Sequence, residues 1–414
     1  MSNRRRLTAI MPAAFVLPLV LFTSSFSNTA AAGDWLHFRG TDTTGATAES
    51  NLPDEIDPKK AAWSVELPGS GAASPIVVGD KVFVSASSGP TQERLHVIAY
   101  EVASGRQLWH RQLWATGSPL THPMSGNAAP SPASDGQRVV ALYSSNDLVC
   151  FDLAGRVQWV RGLTYDEPRL RNDVGLASSP IIVGGVCVVQ IETQGAAFVA
   201  GIDLSTGQTR WSIDRTRGAN WASPAVLRGK AGAPDAVLAQ SPDQLTALDP
   251  TTGRVLWNHV AGCAGIASSM AIGGQVLVPA AGTTALLPGG EGQLPQVLWK
   301  SSTLQSTSTS TVADGERLFV LNRSGVLNAA DLKTAKVLWK LRLGGTFWST
   351  PVLAGGRLYA INQDGAAYVV DISGKRGRLL HTGQLAETIV ATPAIADGAL
   401  YVRSDKRLWK FAAK

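Results

Sequence analysis

Ile202-Asp203-Leu204-Ser205-Thr206-Gly207-Gln208-Thr209-Arg210-Trp211 decides the fold, because it returns 46 residues later as Leu248-Asp249-Pro250-Thr251-Thr252-Gly253-Arg254-Val255-Leu256-Trp257. In both copies an apolar run ends at Asp, a Thr-Gly turn follows, and Trp stands eight positions beyond the Asp. Glu101 to Trp109 and Asp331 to Trp339 keep that spacing, and Asp152 to Trp159 is one shorter. Each element has a physical reason. Asp can accept from nearby backbone N–H groups and fix the turn. Gly supplies the positive φ the turn needs. Trp places a large apolar plate on the following strand, where it can pack against a neighbouring unit.

A second half-repeat alternates with the first. It is Ser/Thr, Pro, an apolar pair, a Gly/Asp turn and an apolar strand, as in Ser74-Pro75-Ile76-Val77-Val78-Gly79-Asp80-Lys81-Val82-Phe83-Val84. Such runs joined by Gly-Asp or Gly-Gly read as hairpins, and Pro at a strand start forfeits no central ladder bond. The Pro position falls at Pro75, Pro132, Pro180, Pro224, Ser269, Thr311, Pro351 and Pro393; the Trp position falls at Trp63, Trp109, Trp159, Trp211, Trp257, Trp299, Trp339 and His381. Both series count eight over residues 62–414, so the period is about 44 residues, that of four-stranded propeller blades. The expected fold is all-β: an eight-bladed propeller of four-stranded antiparallel blades. The strand around Trp63 should complete the last repeat as its outer strand and leave no free edge. No segment sustains a 3.6-residue period.

Composition agrees. The 414 residues are 44% hydrophobic and 16% charged, which excludes a disordered chain and a coiled coil. Three scattered Cys exclude a disulfide-framed mini-fold and a CxxC metal or haem site. Residues 1–32 read as a signal peptide. Arg4, Arg5 and Arg6 precede a mostly apolar stretch, and Ala30-Ala31-Ala32 offers a cleavage pattern; an uncleaved anchor is the other reading. Removing it takes three Arg and no acid, so the balance falls from +6 to 34 minus 31, or +3. No dense basic stripe remains, so nucleic acid is not an expected partner. No later stretch is long and apolar enough to span a membrane. Residues 33–61 form a leader ahead of the propeller at 62–414.

These units resemble the quinoprotein-type (PQQ-binding-like) propeller repeat, with its A-x-D-x-x-T-G-x-x-x-W docking motif. The family includes quinone-dependent alcohol and glucose dehydrogenases and the non-enzymatic BamB scaffold of outer-membrane protein assembly. Trp35-Leu36-His37-Phe38-Arg39-Gly40 with Gly45 resembles the W-x-x-F-R-G-x-x-x-x-G opening of many exported members. The departures point away from the enzymes. Those typically carry an adjacent Cys-Cys pair over the cofactor, whereas Cys150, Cys187 and Cys263 are far apart, and no C-x-x-C-H haem motif is present. BamB carries a lipid-attachment Cys, which is lacking here.

Candidate ligand-binding residues follow from the register. Two inter-blade links are long: His110 to Ala128, with Trp114, His122 and Asn127, and Val160 to Ala177, with Arg171 and Asn172. The first suggests a lid and the second a charged contact surface. Asn220-Trp221 and Trp348 stand just before the inner strands of two blades, at the expected funnel mouth, where aromatics can stack a flat ligand or plug the axis. Asp166-Glu167 is a solvated pair without a matched partner, and the six His show no metal-ligand spacing. The expectation is an exported, monomeric, non-catalytic scaffold, in the periplasm or cell envelope, that binds a protein, peptide or envelope polymer on its loop face without a cofactor. The alternative is a PQQ- and calcium-dependent alcohol or aldose dehydrogenase using the funnel.

Overall fold

A computed structural model describes residues 33–122, 125–170, 174–229 and 233–413. Its strands form eight four-stranded antiparallel sheets. Blade 1 runs through Ile76–Val78, Lys81–Ser88, Arg94–Glu101 and Gln107–Trp114, from inner to outer strand. Blades 2 to 7 repeat this order over residues 133–162, 181–214, 225–260, 270–301, 312–342 and 352–384. Blade 8 takes Ala394–Ala396, Ala399–Arg403 and Arg407–Ala412 from the C-terminus and Trp63–Glu66 as its outer strand. Trp63 pairs with Lys410 and Glu66 with Arg407. Closure is therefore by exchange between the two ends of the chain, as the repeat count requires.

The docking motif works as its residues suggest. Asp203 Oδ1 accepts from the Ser205 and Thr206 N–H at 2.9 Å, and Asp249 and Asp331 do the same in their turns. Trp159 Nε1 donates to the Leu204 carbonyl of the next blade at 2.9 Å; Trp63, Trp109, Trp211 and Trp299 donate likewise to Val102, Leu153, Pro250 and Leu332. The turn glycine is the landing place for the preceding blade's indole. A Cβ on Gly207, at φ +74°, would lie 2.7 Å from the Trp159 ring. Across the blade, Trp109, Trp211, Trp257, Trp299 and Trp339 each face Ala or Gly, and a one-residue register shift follows. A small residue there leaves room for the indole, and the bulge turns it toward the next blade.

The leader is part of the ring. It crosses the axis on the face that carries the hairpin turns after the inner strands, and it engages all eight blades. Trp35 bridges Val77 of blade 1, the Leu36 carbonyl accepts from Ser134 of blade 2, and His37 Nε2 accepts from the Ile182 N–H of blade 3 at 3.3 Å. Thr43 Oγ1 accepts from Val226 of blade 4, and Arg39 Nη2 donates to the Ser269 carbonyl of blade 5 at 2.8 Å. Gly45 lies against Val312 of blade 6, its carbonyl accepts from Leu353 of blade 7, and Glu49 accepts from Asp397 and Gly398 of blade 8. Trp35 and Arg39 are fully buried. Apart from strands, the described residues hold only the four-residue helix Leu163–Asp166 and the 3-10 turn Pro58–Lys60.

Candidate functional site

Eight hydroxyls circle the axis. The residue before each inner-strand Pro position is Ser74, Ser131, Ser179, Ser223, Ser268, Ser310, Thr350 or Thr392. Each hydroxyl accepts the backbone N–H of its counterpart one blade earlier, from Ser74 N to Ser131 Oγ at 2.9 Å round to Thr392 N to Ser74 Oγ at 3.0 Å. The ring closes with no gap. It is the polar counterpart of the outer Trp docking: one girdle seals the blades near the rim, the other at the axis.

Two residues before each ring hydroxyl stands a second circle: Ala72, Ala129, Ala177, Trp221, Ile266, Ser308, Trp348 and Val390. Both circles line one axial cavity of about 330 Å³, together with Phe38, His122, Ser125 and Val174. Three consecutive alanines leave one side of the funnel open, and Trp221 and Trp348 crowd the other. Both indole N–H groups are already engaged, Trp221 with the Gly175 carbonyl at 3.0 Å and Trp348 with Gln363 Oε1 at 3.1 Å. Each ring is thereby fixed and presents surface, not a donor. The Arg323 guanidinium lies 4.4 Å from the Trp348 ring centre. Phe38 of the leader enters from the opposite end and makes the funnel a blind cup.

Two buried guanidiniums stand near this floor. Arg39 adjoins Phe38 in the chain and donates to the Ser268 and Ser269 carbonyls; Arg403 donates to the Ala73 carbonyl at 2.8 Å. Neither has a carboxylate within ion-pairing distance among the described residues, and Arg39 Nε and Arg403 Nε and Nη2 have no partner there. Burial lowers the Arg39 guanidinium to about 9 and that of Arg403 to about 10, so both remain charged at neutral pH.

A buried polar network lies beside the cup. Glu192 is engaged by Arg215 Nε at 3.3 Å, by Asn220 Nδ2 at 2.9 Å and by the Ser241 hydroxyl. Arg215 also donates to Ser241 Oγ and Thr246 Oγ1. Burial raises the Glu192 carboxyl above its ordinary value, and the Ser241, Arg215 and Asn220 contacts oppose that. This network ties blade 3 to blade 4.

The sequence candidates separate accordingly. Trp221 and Trp348 line the cavity. Asn220 is buried in the Glu192 network and does not line it. Asn127 is fully buried and structural: its Nδ2 donates to the Gln92 carbonyl, and its Oδ1 accepts from Ser145 N at 2.8 Å. Arg171 and Asn172 lie outside the described residues. The link boundaries need correction. His110 and Trp114 belong to the outer strand of blade 1, which runs on to residue 114, and Val160 belongs to that of blade 2. Cross-strand pairing, with Trp114 opposite Arg94, outweighs the apparent end of the repeat.

The two links then pack on one another. Asp147 accepts from Thr116 N and Oγ1, the latter at 2.6 Å, and His122 N donates to the Val174 carbonyl. A side chain on Gly117 would strike the Ser145 carbonyl and Thr164. On this face Trp114 is 60% exposed, Leu120 61% and Tyr165 78%. The hydroxyl circle and the leader plug escaped sequence reasoning. The first had a signal: the position before Pro is always Ser or Thr, even where Ser269 and Thr311 replace the Pro. The second had one too, the leader motif that supplies Trp35, Phe38, Arg39 and Gly45, but nothing in it places those residues on the axis.

A quinone held on calcium requires several oxygen ligands, carboxylates foremost. No carboxylate and no side-chain amide lines the cavity among the described residues. No group of three or more His, Cys, Asp or Glu converges anywhere in them. The described residues do not fit that group. Burial pushes the Cys150 and Cys263 thiols up to about 12, so neither is a nucleophile at neutral pH.

Comparison with known proteins matches residues 55–258, 198–296 and 292–385 to the family described as outer membrane protein assembly factor BamB. The outer membrane protein assembly factor BamB of Bordetella pertussis is 25% identical over 206 residues, 48% of this chain and 44% of that protein. The chain thus spans less than half the length of that relative. Among solved structures, BamB from Moraxella catarrhalis superposes with a TM-score of 0.62 at 18% identity, over 86% of this chain and 97% of that one. A europium-containing methanol dehydrogenase superposes with a TM-score of 0.67 at 12% identity, over 92% and 98%. At these identities the superpositions establish the fold alone. No helix among the described residues is long and apolar enough to cross a membrane.

Proposed function

The chain belongs to the family described as outer membrane protein assembly factor BamB, and from that premise we propose that it is an exported, non-catalytic scaffold that binds a protein partner on the face carrying its inter-blade links. The observation that carries this reading is the patch of Trp114, Leu120 and Tyr165. Three large apolar side chains stand mostly in solvent on one face: Trp114 at the end of blade 1's outer strand, Leu120 on the link that follows it, and Tyr165 on the short helix after blade 2. Ordered loops on a rigid scaffold are where propellers place recognition, and large apolar side chains exposed on one face are a mark of interfaces. The name of the Bordetella relative, an outer membrane protein assembly factor, is consistent with a protein partner.

The test places a photo-crosslinking residue at Leu120 and, as a control on the opposite face, at Thr252. Expected is a single protein partner crosslinked from position 120 in the cell envelope, none from 252, and loss of the crosslink in Tyr165→Asp at unchanged thermal stability. Equal crosslinking from both faces overturns the reading. The oxidoreductase alternative is tested separately: the protein is mixed with pyrroloquinoline quinone and calcium and assayed for dye reduction with alcohols and aldoses. Stoichiometric cofactor binding with turnover overturns the non-catalytic assignment.

A further inference from the structure

We infer that the blind axial cup is a binding site for a small single-headed carboxylate, an apolar or aromatic body bearing one carboxylate that sits on the hydroxyl circle. The inference is independent of the link-face docking surface. A hydroxyl has one proton to donate and two lone pairs. In each ring Ser or Thr a lone pair is spent on the neighbouring blade's N–H. None of the eight donates its proton to an acceptor among the described residues, and all eight line the cavity. The floor is therefore a circle of eight unspent hydroxyl protons that can converge on an acceptor-rich head; one lone pair per hydroxyl also remains, so the preference for an anion over a cation rests on charge.

Charge points the same way. Arg39 and Arg403 are 0% exposed, and neither has an ion-pair partner among the described residues. Buried charges are weakly screened, and no carboxylate lines the cup to oppose them. An anion at the floor gains from both, whereas an ammonium there meets like charge. The walls set the rest of the ligand. Trp221, Trp348, Ile266 and Val390 offer apolar surface, and the alanine arc leaves the space. Phe38 closes the axis beyond the hydroxyl circle, so a ligand enters head first from the link face and its body lies along these apolar walls. A cavity of about 330 Å³ suits a molecule of this kind.

The full mature chain is titrated with 3-phenylpropionate and, as isosteres, 3-phenylpropan-1-ol and 3-phenylpropylamine, read by calorimetry and by tryptophan fluorescence. Expected is binding of the acid at least about tenfold tighter than the alcohol, the factor a charge-assisted hydrogen bond supplies, and no binding of the amine. Ala177→Phe fills the open arc without touching a ring hydroxyl and should weaken the acid about tenfold or more. Val390→Trp does the same from another blade, should the first variant misfold. A short peptide ending in Phe, as free acid and as amide, then separates two sources of the same head group: binding of the peptide acid assigns a chain terminus, and binding of phenylpropionate alone assigns a free acid. Equal binding of acid, alcohol and amine overturns the inference. So does no acid binding at millimolar concentration, or acid binding unchanged in a folded filling variant.

Discussion

Acidification should loosen the leader from the ring through His37. This side chain is 5% exposed. Its Nε2 accepts from the Ile182 N–H at 3.3 Å, and its Nδ1 lies 3.4 Å from the Thr41 carbonyl, so the folded state holds the neutral ring with the proton on Nδ1. Burial above all lowers its pKa from 6.5 to about 4; the Thr41 carbonyl opposes this most, the nearby Arg228 charge adds to it, and Asp42 and the Ile182 contact oppose it weakly. The unfolded chain binds a proton at pH 6.5 and the folded chain only near 4. The stability conferred by the neutral ring is therefore complete above pH 6.5 and is lost as pH falls through the window from 6.5 to about 4. At about 1.4 kcal/mol per pH unit, the window is worth about 3 kcal/mol. Other histidines titrate in the same range, and burial lowers His96 to about 4 as well, so the His37 share must be isolated. His37→Gln keeps an acceptor for Ile182 and removes the proton site. Urea unfolding of both proteins, followed by tryptophan fluorescence between pH 7 and pH 4, should show the parent losing about 3 kcal/mol more than the variant. A stability difference that stays constant across that range would refute the assignment of a buried neutral His37.

Four further predictions concern the contacts that join the blades. Trp109→Ala, which removes an indole packed 5.7 Å from both Phe83 and Phe151, should cost about 3–5 kcal/mol in the same unfolding assay. Gly207→Ala should cost about 2 kcal/mol or more, since it sets a Cβ 2.7 Å from the Trp159 ring at φ +74°. Ala335→Gly, at the equivalent turn with φ +60°, should raise stability by about 0.5–1 kcal/mol by releasing left-handed strain. Glu192→Gln should cost about 3–5 kcal/mol, because it leaves the Arg215 guanidinium, 3% exposed, without its anion. A loss below about 1 kcal/mol would mean that water replaces the carboxylate.

Much of the ring was legible because its grammar is local. An Asp that caps its own turn, a Gly with positive φ and a Trp eight residues on are constraints within one hairpin, and repetition makes them audible above the noise of a single copy. Even closure by the strand at Trp63 follows from counting, since a ring cannot leave one outer strand unpaired. The link boundaries were less legible. Whether a strand stops at His110 or continues to Trp114 depends on its cross-strand partner, here the long strand from Arg94, and the outer strand's own residues do not state it.

The candidate site divides along the same line. Register alone brought Trp221 and Trp348 to the axis, because each stands two residues before a ring hydroxyl. Asn127 and Asn220 have the same polar character and similar places in the chain, yet they face inward to Gln92 and Glu192. Which way an Asn turns is set by the acceptors that folding places within reach, and those lie on other strands or blades. The chain's sequence therefore determined the blade, the number of blades and the manner of closure, all of which rest on hydrogen bonds and packing between residues close in sequence or repeated at a fixed period. Only the tertiary structure decided that eight Ser and Thr hydroxyls close a circle with their protons unspent, that Phe38 stops one end of the axis, and that Arg39 and Arg403 lie buried without anions. Each of these depends on groups brought together from opposite ends of the chain, and no local pattern encodes such a meeting.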